Sequence, residues 1–153
     1  MPRISAGLLM YRRRSSRLEV LLVHPGGPYW ARKDRGVWSI PKGGVDDDEE
    51  LLDAARREFE EETGVVPRGP FQVLGTFKTR GGKTVYIWAF EGDCDISKCR
   101  SSTFEMEWPP HSGKRVTYPE VDRAEFFDLD EARRKINAQQ RPLLDSLQGR
   151  LPD

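Results

Sequence analysis

The sequence predicts a mixed α/β fold, with strands before and after one central helix, on three observations. Short apolar runs of strand composition occupy residues 4–12, 18–23, 71–79, 84–90 and 121–128. One long segment of helical periodicity, residues 43–65, lies between the second and third of these runs. The chain has 153 residues and no internal repeat or low-complexity linker, which leads us to expect a single domain over residues 1–153 with a core of its own.

The first two strands are separated by the polar run RRRSSR, suited to a hairpin with an exposed basic turn, and their apolar character places them centrally in a sheet. Residues 25–44, PGGPYWARKDRGVWSIPKGG, are too rich in Pro, Gly and charge for regular structure, and loops of that length are usually functional. They lead into the central helix, whose first turn, residues 46–50, carries the carboxylates that a helix N-terminus favours. Asp46 with Glu49, or Asp47 with Glu50, has the spacing of a capping box. The third and fourth strands form a hairpin across Arg80–Lys83, where Gly81 and Gly82 supply positive φ. The string GGKT within it is not a phosphate loop, because position 77 is Phe and a strand follows where a helix is required. Residues 94–119 read as a second long irregular segment, a candidate lid. Residues 121–128 give a last strand, and residues 129–138 and 143–147 a C-terminal helix interrupted by Pro142.

The central helix has its charges in unexpected places. With about 100° per residue, Leu51, Leu52, Ala54, Ala55 and Phe59 share one arc, and Glu58 and Glu62 fall inside it. Glu61 flanks the arc, while Asp53, Arg56, Glu60 and Thr63 take the opposite face. The three glutamates also crowd the C-terminal turns before Gly64, at the negative pole of the macrodipole and at mutually repelling spacings. A carboxylate turned toward an apolar face must find a cation, join a hydrogen-bond network or take up a proton. Magnesium or manganese, hard ions that prefer oxygen, would answer every objection, and so would an arginine-paired structural network. Spacing alone leaves both open.

Twenty-five basic and twenty-five acidic side chains cancel, so no global field favours nucleic acid or membranes. Cys94 and Cys99 are too few for a disulfide framework or a zinc site and read as reduced thiols. No run approaches a membrane span and the apolar N-terminal run is too short for a signal peptide, so a cytoplasmic protein is expected. His24 and His111 lack partner spacing and read as structural or surface histidines, and no G-x-S-x-G elbow is present. Arg12, Arg13, Arg14, Arg32, Lys33 and Arg35 occur near the loops expected around a site, either as a basic face or simply as solvated charge.

Gly43, Glu49, Arg57, Glu58, Phe59, Glu61, Glu62, Gly64 and Val65 together resemble the Nudix box, G-x5-E-x7-R-E-U-x-E-E-x-G-U, with U a bulky aliphatic. Phe59 is the one departure, standing where Leu or Ile is commoner. The resemblance implies a Nudix fold, a mixed β-sheet sandwiched between helices with the Nudix loop-helix-loop. It implies a pyrophosphohydrolase that uses Mg2+ or Mn2+, held by Glu58, Glu61, Glu62 and the Gly43 carbonyl. Arg57 would hold a glutamate in place, and Glu49 and Gly64 would shape the loops. A further family carboxylate precedes the last strand; Glu120 matches it as a ligand or base, with Glu105 and Glu107 as competitors. Glu61, Glu58, Arg57 and Glu120 are thus the candidate catalytic residues. The lead-in Trp38, Ser39, Ile40, Pro41, Lys42, Gly43 is similar to the W-x-I-P-K-G of the diadenosine polyphosphate hydrolase (MutT-like) branch, and diphosphoinositol polyphosphate hydrolases share part of it. Lys42, Lys83 and Tyr86 then become candidate substrate contacts, although Tyr86 shares a strand face with Trp88 that also suits a core. Tyr29, Trp30 and Trp108 could stack on a base. The expected partner is a small nucleotide or polyphosphate such as diadenosine tetraphosphate, with diphosphoinositol polyphosphates or nucleoside triphosphates as alternative substrates and a non-catalytic nucleotide-binding module as a further reading.

Overall fold

In the computed structural model, which describes residues 4–151, the N-terminal apolar run forms a strand over Ile4–Arg14 (β1). It turns at Ser15 and Ser16, both at positive φ (51° and 67°), into the antiparallel strand Arg17–Pro25 (β2). Two consecutive residues of positive φ match the right-handed twist of the flanking strands. β1 pairs with β2 only over its second half, from Tyr11 to Arg14. Its first half pairs instead with a three-residue strand, Lys42–Gly44 (β3), setting Gly7 opposite Lys42 and Ala6 opposite Gly43. This change of partner brings the end of the long loop into the sheet. A Cβ on Gly7 would lie 2.4 Å from the Pro41 carbonyl oxygen, so the close approach needs glycine there.

The remaining strands are Gln72–Lys78 (β4), Thr84–Glu91 (β5), Thr103–Glu107 (β6), Arg115–Pro119 (β7) and Val121–Asp128 (β8). The main sheet runs β4-β5-β1-β2-β8, with β3 beside β1, and only the β1–β5 pairing is parallel. Helix Leu51–Thr63 (α1) covers one face, where Ala54, Ala55 and Phe59 pack on Ala6, Leu8, Met10 and Phe90. Helices Leu129–Lys135 (α2) and Arg141–Arg150 (α3) cover the other, where Leu129, Ala132, Leu144 and Leu147 join Trp38, Ile40, Leu22 and Ile87. Mixed sheet between helices is the expected architecture.

Several local expectations change. The lid segment is not irregular: β6 and β7 form a two-stranded hairpin apart from the main sheet. Its half-buried residues, Phe104, Met106, Val116 and Tyr118, alternate with exposed ones. Phe104 packs over Gly27, and Trp108 meets Tyr29 edge-on at 5.1 Å, which seats the hairpin on the first long loop. Pro142 lies at the start of α3 rather than interrupting a helix, a position where a missing N–H is harmless. The Asp46–Glu49 pair closes only partly as a capping box, with the Asp46 N–H donating to Glu49 Oε1 at 3.0 Å, while α1 begins later with Glu50 as its uncapped N-cap. Only Gly82 of the glycine pair has positive φ. His24 is structural: it is buried, with Nδ1 2.7 Å from Asp122 Oδ1 and Nε2 2.7 Å from the Lys33 carbonyl.

Candidate metal and phosphate site

The C-terminal half of α1 aims its glutamates at the backbone of β3. Gly43 is the reason they fit: a Cβ there would lie 2.0 Å from Glu58 Oε2. A carboxylate packed onto a bare backbone sets Gly43 directly beside Glu58, with Glu61 and Glu62 at the same end of the helix. They line a cavity of about 250 Å³ that also includes Lys42, Ser102 and Glu120. Glu120 therefore joins the box glutamates from a distant part of the chain, at the foot of the β6–β7 hairpin. Its N–H donates to the Ser102 carbonyl at 2.8 Å, and the Ser102 N–H donates to the Glu61 carbonyl at 2.8 Å. The competing carboxylates are engaged elsewhere: Glu105 lies 3.7 Å from Arg115, and Glu107 accepts the His111 and Gly113 N–H groups of its own turn.

Arg57 locks the helix to the loop before it. Nε and Nη2 bond both oxygens of Glu49 at 2.9 Å, and Nη2 also reaches the Gly44 carbonyl at 2.8 Å. Nη1 donates to Glu58 at 2.9 Å and to Glu61 at 3.3 Å. This fork geometry suits guanidinium and not ammonium. The arginine network allowed by spacing thus exists, but it satisfies only part of the charge. Glu62 receives no arginine, and burial, then the Glu58 carboxylate, push it up to about 8 against the pull of Lys42. Burial and Glu61 likewise raise Glu58. Burial lowers Lys42, opposed by Glu62 and Glu58. Among the described residues no three acidic, histidine or cysteine side chains already form a closed metal cage. The carboxylates nevertheless suit a hard divalent cation: Glu58, Glu61, Glu62 and Glu120 are oxygen donors that repel one another in a half-enclosed cavity, with Lys42 as a single cation beside them.

An acid held above its ordinary value of 4.5 contributes stability below that pH and loses it as the pH rises through about 8. The chelated protein is therefore expected to lose melting temperature across that window by way of Glu62, and Glu62→Gln to flatten the slope. Magnesium should restore the loss at the alkaline end. Glu49, held down to about 2 chiefly by Arg57, acts with the opposite sign, losing its contribution only as the pH falls below 4.5. Melting curves from about pH 2 to 9, with chelator and with magnesium, check both.

Substrate-contact candidates are placed unevenly. Lys42 lines the glutamate cavity and, on its other side, a cleft of about 320 Å³ on the α2–α3 face. Lys83, in the β4–β5 turn, is near enough to Lys42 to lower it electrostatically. Tyr86 is half-buried on the α1 face, near Trp88, which packs on that core, and lines neither cavity. Arg12 and Arg14 belong to no basic face at this site. Arg12 bonds Glu19 and Asp93 and lies 3.6 Å over the Phe126 ring, and Arg14 also bonds Asp93. Thr63, placed by the helical wheel on the polar face, is fully buried. Its hydroxyl donates to the Phe59 carbonyl at 2.7 Å, while its own carbonyl accepts the Arg100 N–H at 2.9 Å. Ser102 is the site residue that sequence reasoning missed; no local signal marks it.

Comparison with known proteins finds local sequence likeness and an overall likeness of fold. A 51-residue segment is 51% identical to an RNA pyrophosphohydrolase of Caulobacter vibrioides, spanning 30% of this chain and 30% of that relative. A 57-residue segment is 42% identical to an RNA pyrophosphohydrolase of Stenotrophomonas maltophilia, spanning 37% of this chain and 27% of the relative. Among solved structures, an Ap4A hydrolase of C. elegans in a binary complex superposes with a TM-score of 0.65 at 24% identity, over 95% of this chain and 96% of that one. The NUDIX domain of Shewanella oneidensis NrtR, complexed with ADP ribose, gives 0.70 at 19% identity, over 99% and 90%. At these identities the structural likeness is one of fold. The family model described as the NUDIX domain matches residues 1–147, and the chain belongs to the Nudix family.

Proposed function

We propose that residues 1–153 act as one Nudix hydrolase domain that cuts a phosphoanhydride in a nucleoside diphosphate linked to another group, with a dinucleoside polyphosphate such as diadenosine tetraphosphate as the leading substrate. The observation that carries this reading is the convergence of Glu58, Glu61, Glu62, Glu120 and Lys42 on one cavity, with Arg57 fixing two of the four carboxylates. Glu58, Glu61, Glu62, Glu120 and the Gly43 carbonyl would hold magnesium or manganese. When bound, such an ion neutralises phosphate oxygens and makes water a better nucleophile. Lys42 meets the phosphate chain as a point charge. Arg57 keeps Glu58 and Glu61 from reorganising as charge develops. Glu61 or Glu120 takes the proton of the attacking water, whose oxygen bonds to phosphorus as the anhydride P–O bond breaks and a phosphate leaves. Two cysteines, Cys94 and Cys99, are too few for a disulfide framework and suit a reducing, cytoplasmic setting.

A second reading, removal of pyrophosphate from the 5′ end of RNA, is supported by the bacterial relatives named above. A panel of diadenosine tetraphosphate, nucleoside triphosphates, ADP ribose, a diphosphoinositol polyphosphate and a 5′-triphosphorylated oligonucleotide, with products resolved, separates the readings. Glu61→Gln should lower turnover of the preferred substrate by at least about 100-fold with an unchanged melting temperature. Absence of turnover by the wild type on the whole panel, with either metal, would sink the hydrolase reading.

A further inference from the structure

Glu120 is the one residue between two strands that belong to different sheets: β7 ends at Pro119 in the hairpin, and β8 begins at Val121 in the main sheet. A carboxylate carried on such a link takes its position from whatever fixes the peptides on either side of it. The Glu120 N–H donates to the Ser102 carbonyl at 2.8 Å, and the Glu120 carbonyl accepts the Gly26 N–H at 2.9 Å. Pro119, before it, has no N–H to offer.

Ser101 completes this arrangement from a side chain. Its Oγ accepts the Val121 N–H at 3.0 Å, and the same hydroxyl has two carbonyls within donating reach, Ser102 at 2.9 Å and Val121 at 3.1 Å. A serine hydroxyl has one proton and two lone pairs, so it accepts and donates at once. Two successive N–H groups of the link, at Glu120 and Val121, are thereby hung on two successive residues, Ser102 and Ser101. Those residues hang in turn on the end of α1. The Arg100 N–H donates to the Thr63 carbonyl at 2.9 Å, and the Ser102 N–H donates to the Glu61 carbonyl at 2.8 Å. One short run therefore supports both the helix end and the link, and it sets Glu120 relative to Glu61. Without the Ser101 hydroxyl, the peptide after Glu120 is held on its carbonyl side alone.

We propose that Ser101 is a positioning residue for the reaction, holding Glu120 in register with the box glutamates through the Val121 N–H. The assignment rests on the proposed hydrolase reading and deepens it by naming the side chain that places its fourth carboxylate. Ser101 lines a neighbouring groove and not the glutamate cavity, so it acts through Glu120 and not on the reacting atoms. The groove, of about 540 Å³, leaves room for one more methyl group at this position.

The test uses Ser101→Ala, Ser101→Thr and Glu120→Gln in the full chain, with two kinds of measurement. In the chelated protein, amide hydrogen exchange at Glu120 and Val121 should quicken at least about tenfold in Ser101→Ala relative to the amides of β1. Ser101→Thr, which keeps the hydroxyl, should exchange as wild type does. With magnesium and the panel substrate turned over best, Ser101→Ala should lower kcat at least about tenfold while KM stays within about twofold. Ser101→Thr should recover most of that loss. In the Glu120→Gln background Ser101→Ala should have no further effect, because the carboxylate it positions is already gone. Unchanged exchange at both amides, an intact kcat with a lowered melting temperature, a loss that Ser101→Thr does not recover, or an undiminished effect in the Glu120→Gln background would overturn the assignment. If wild type turns over no substrate, the hydrolase reading fails by itself, and the exchange pattern alone decides whether Ser101 fixes the link that carries Glu120.

Discussion

Glu58→Gln is expected to lower kcat/KM on the preferred substrate on the order of 10²- to 10³-fold, about 3 to 4 kcal/mol of transition-state stabilisation. Glu58 sits against the Gly43 backbone, accepts from Arg57 at 2.9 Å and lines the cavity with three other carboxylates. Glutamine keeps the shape and removes the charge. Stability should move little, because Arg57 retains both oxygens of Glu49 and the Gly44 carbonyl, and because a raised, crowded carboxylate has been taken away. Steady-state kinetics with magnesium, paired with melting of the chelated protein, decides between roles. A purely structural network predicts the reverse pattern, with a clear fall in melting temperature and no metal-dependent activity to lose.

Gly26→Ala carries the second large effect, and it acts at a distance. A Cβ on Gly26 would lie 1.9 Å from the Pro119 carbonyl oxygen, a backbone atom that cannot swing aside. The Gly26 N–H also donates to the Glu120 carbonyl at 2.9 Å. The strand end and the foot of the β6–β7 hairpin must therefore separate, carrying Glu120 with them. The expected cost is about 1 to 3 kcal/mol of stability, as for other overpacked positions. Activity should fall by more than that loss explains, because the displaced residue lines the glutamate cavity. Gly149→Ala is the control: a Cβ there meets nothing within 4 Å. If Gly26→Ala kept full activity below its melting temperature, the placement of Glu120 in the reaction would be wrong.

The strand runs, the central helix and the offsets that put Glu58 and Glu62 toward an apolar face are legible in the sequence, because they are properties of local periodicity. The three box glutamates lie within about one turn of one another, so one helix suffices to gather them. Arg57 to Glu61 is legible for the same reason, at four residues. Thr63 shows where local reasoning ends. The wheel assigns it to solvent, but residues 100–102 return to cap the end of α1, an event encoded some forty positions away. The same return brings Ser102 and Glu120 to the cavity. The β6–β7 hairpin was hidden because its five-residue strands alternate weakly and lie between Pro, Gly and charged residues.

What lies above the glutamates depends on long-range pairing. The sequence placed Lys42 next to Gly43 but could not say that β1 would exchange β2 for β3 and expose that lysine to two cavities at once. Nor could it bring Trp30, Gln139 and Phe77 together, since they come from a loop, a helix junction and a strand edge. It also could not show that Arg12 and Arg14 are consumed by Glu19 and Asp93. Helical spacing fixes which residues share a face; long-range pairing of backbone decides which faces meet, and the cleft beside Lys42 is made entirely by the second.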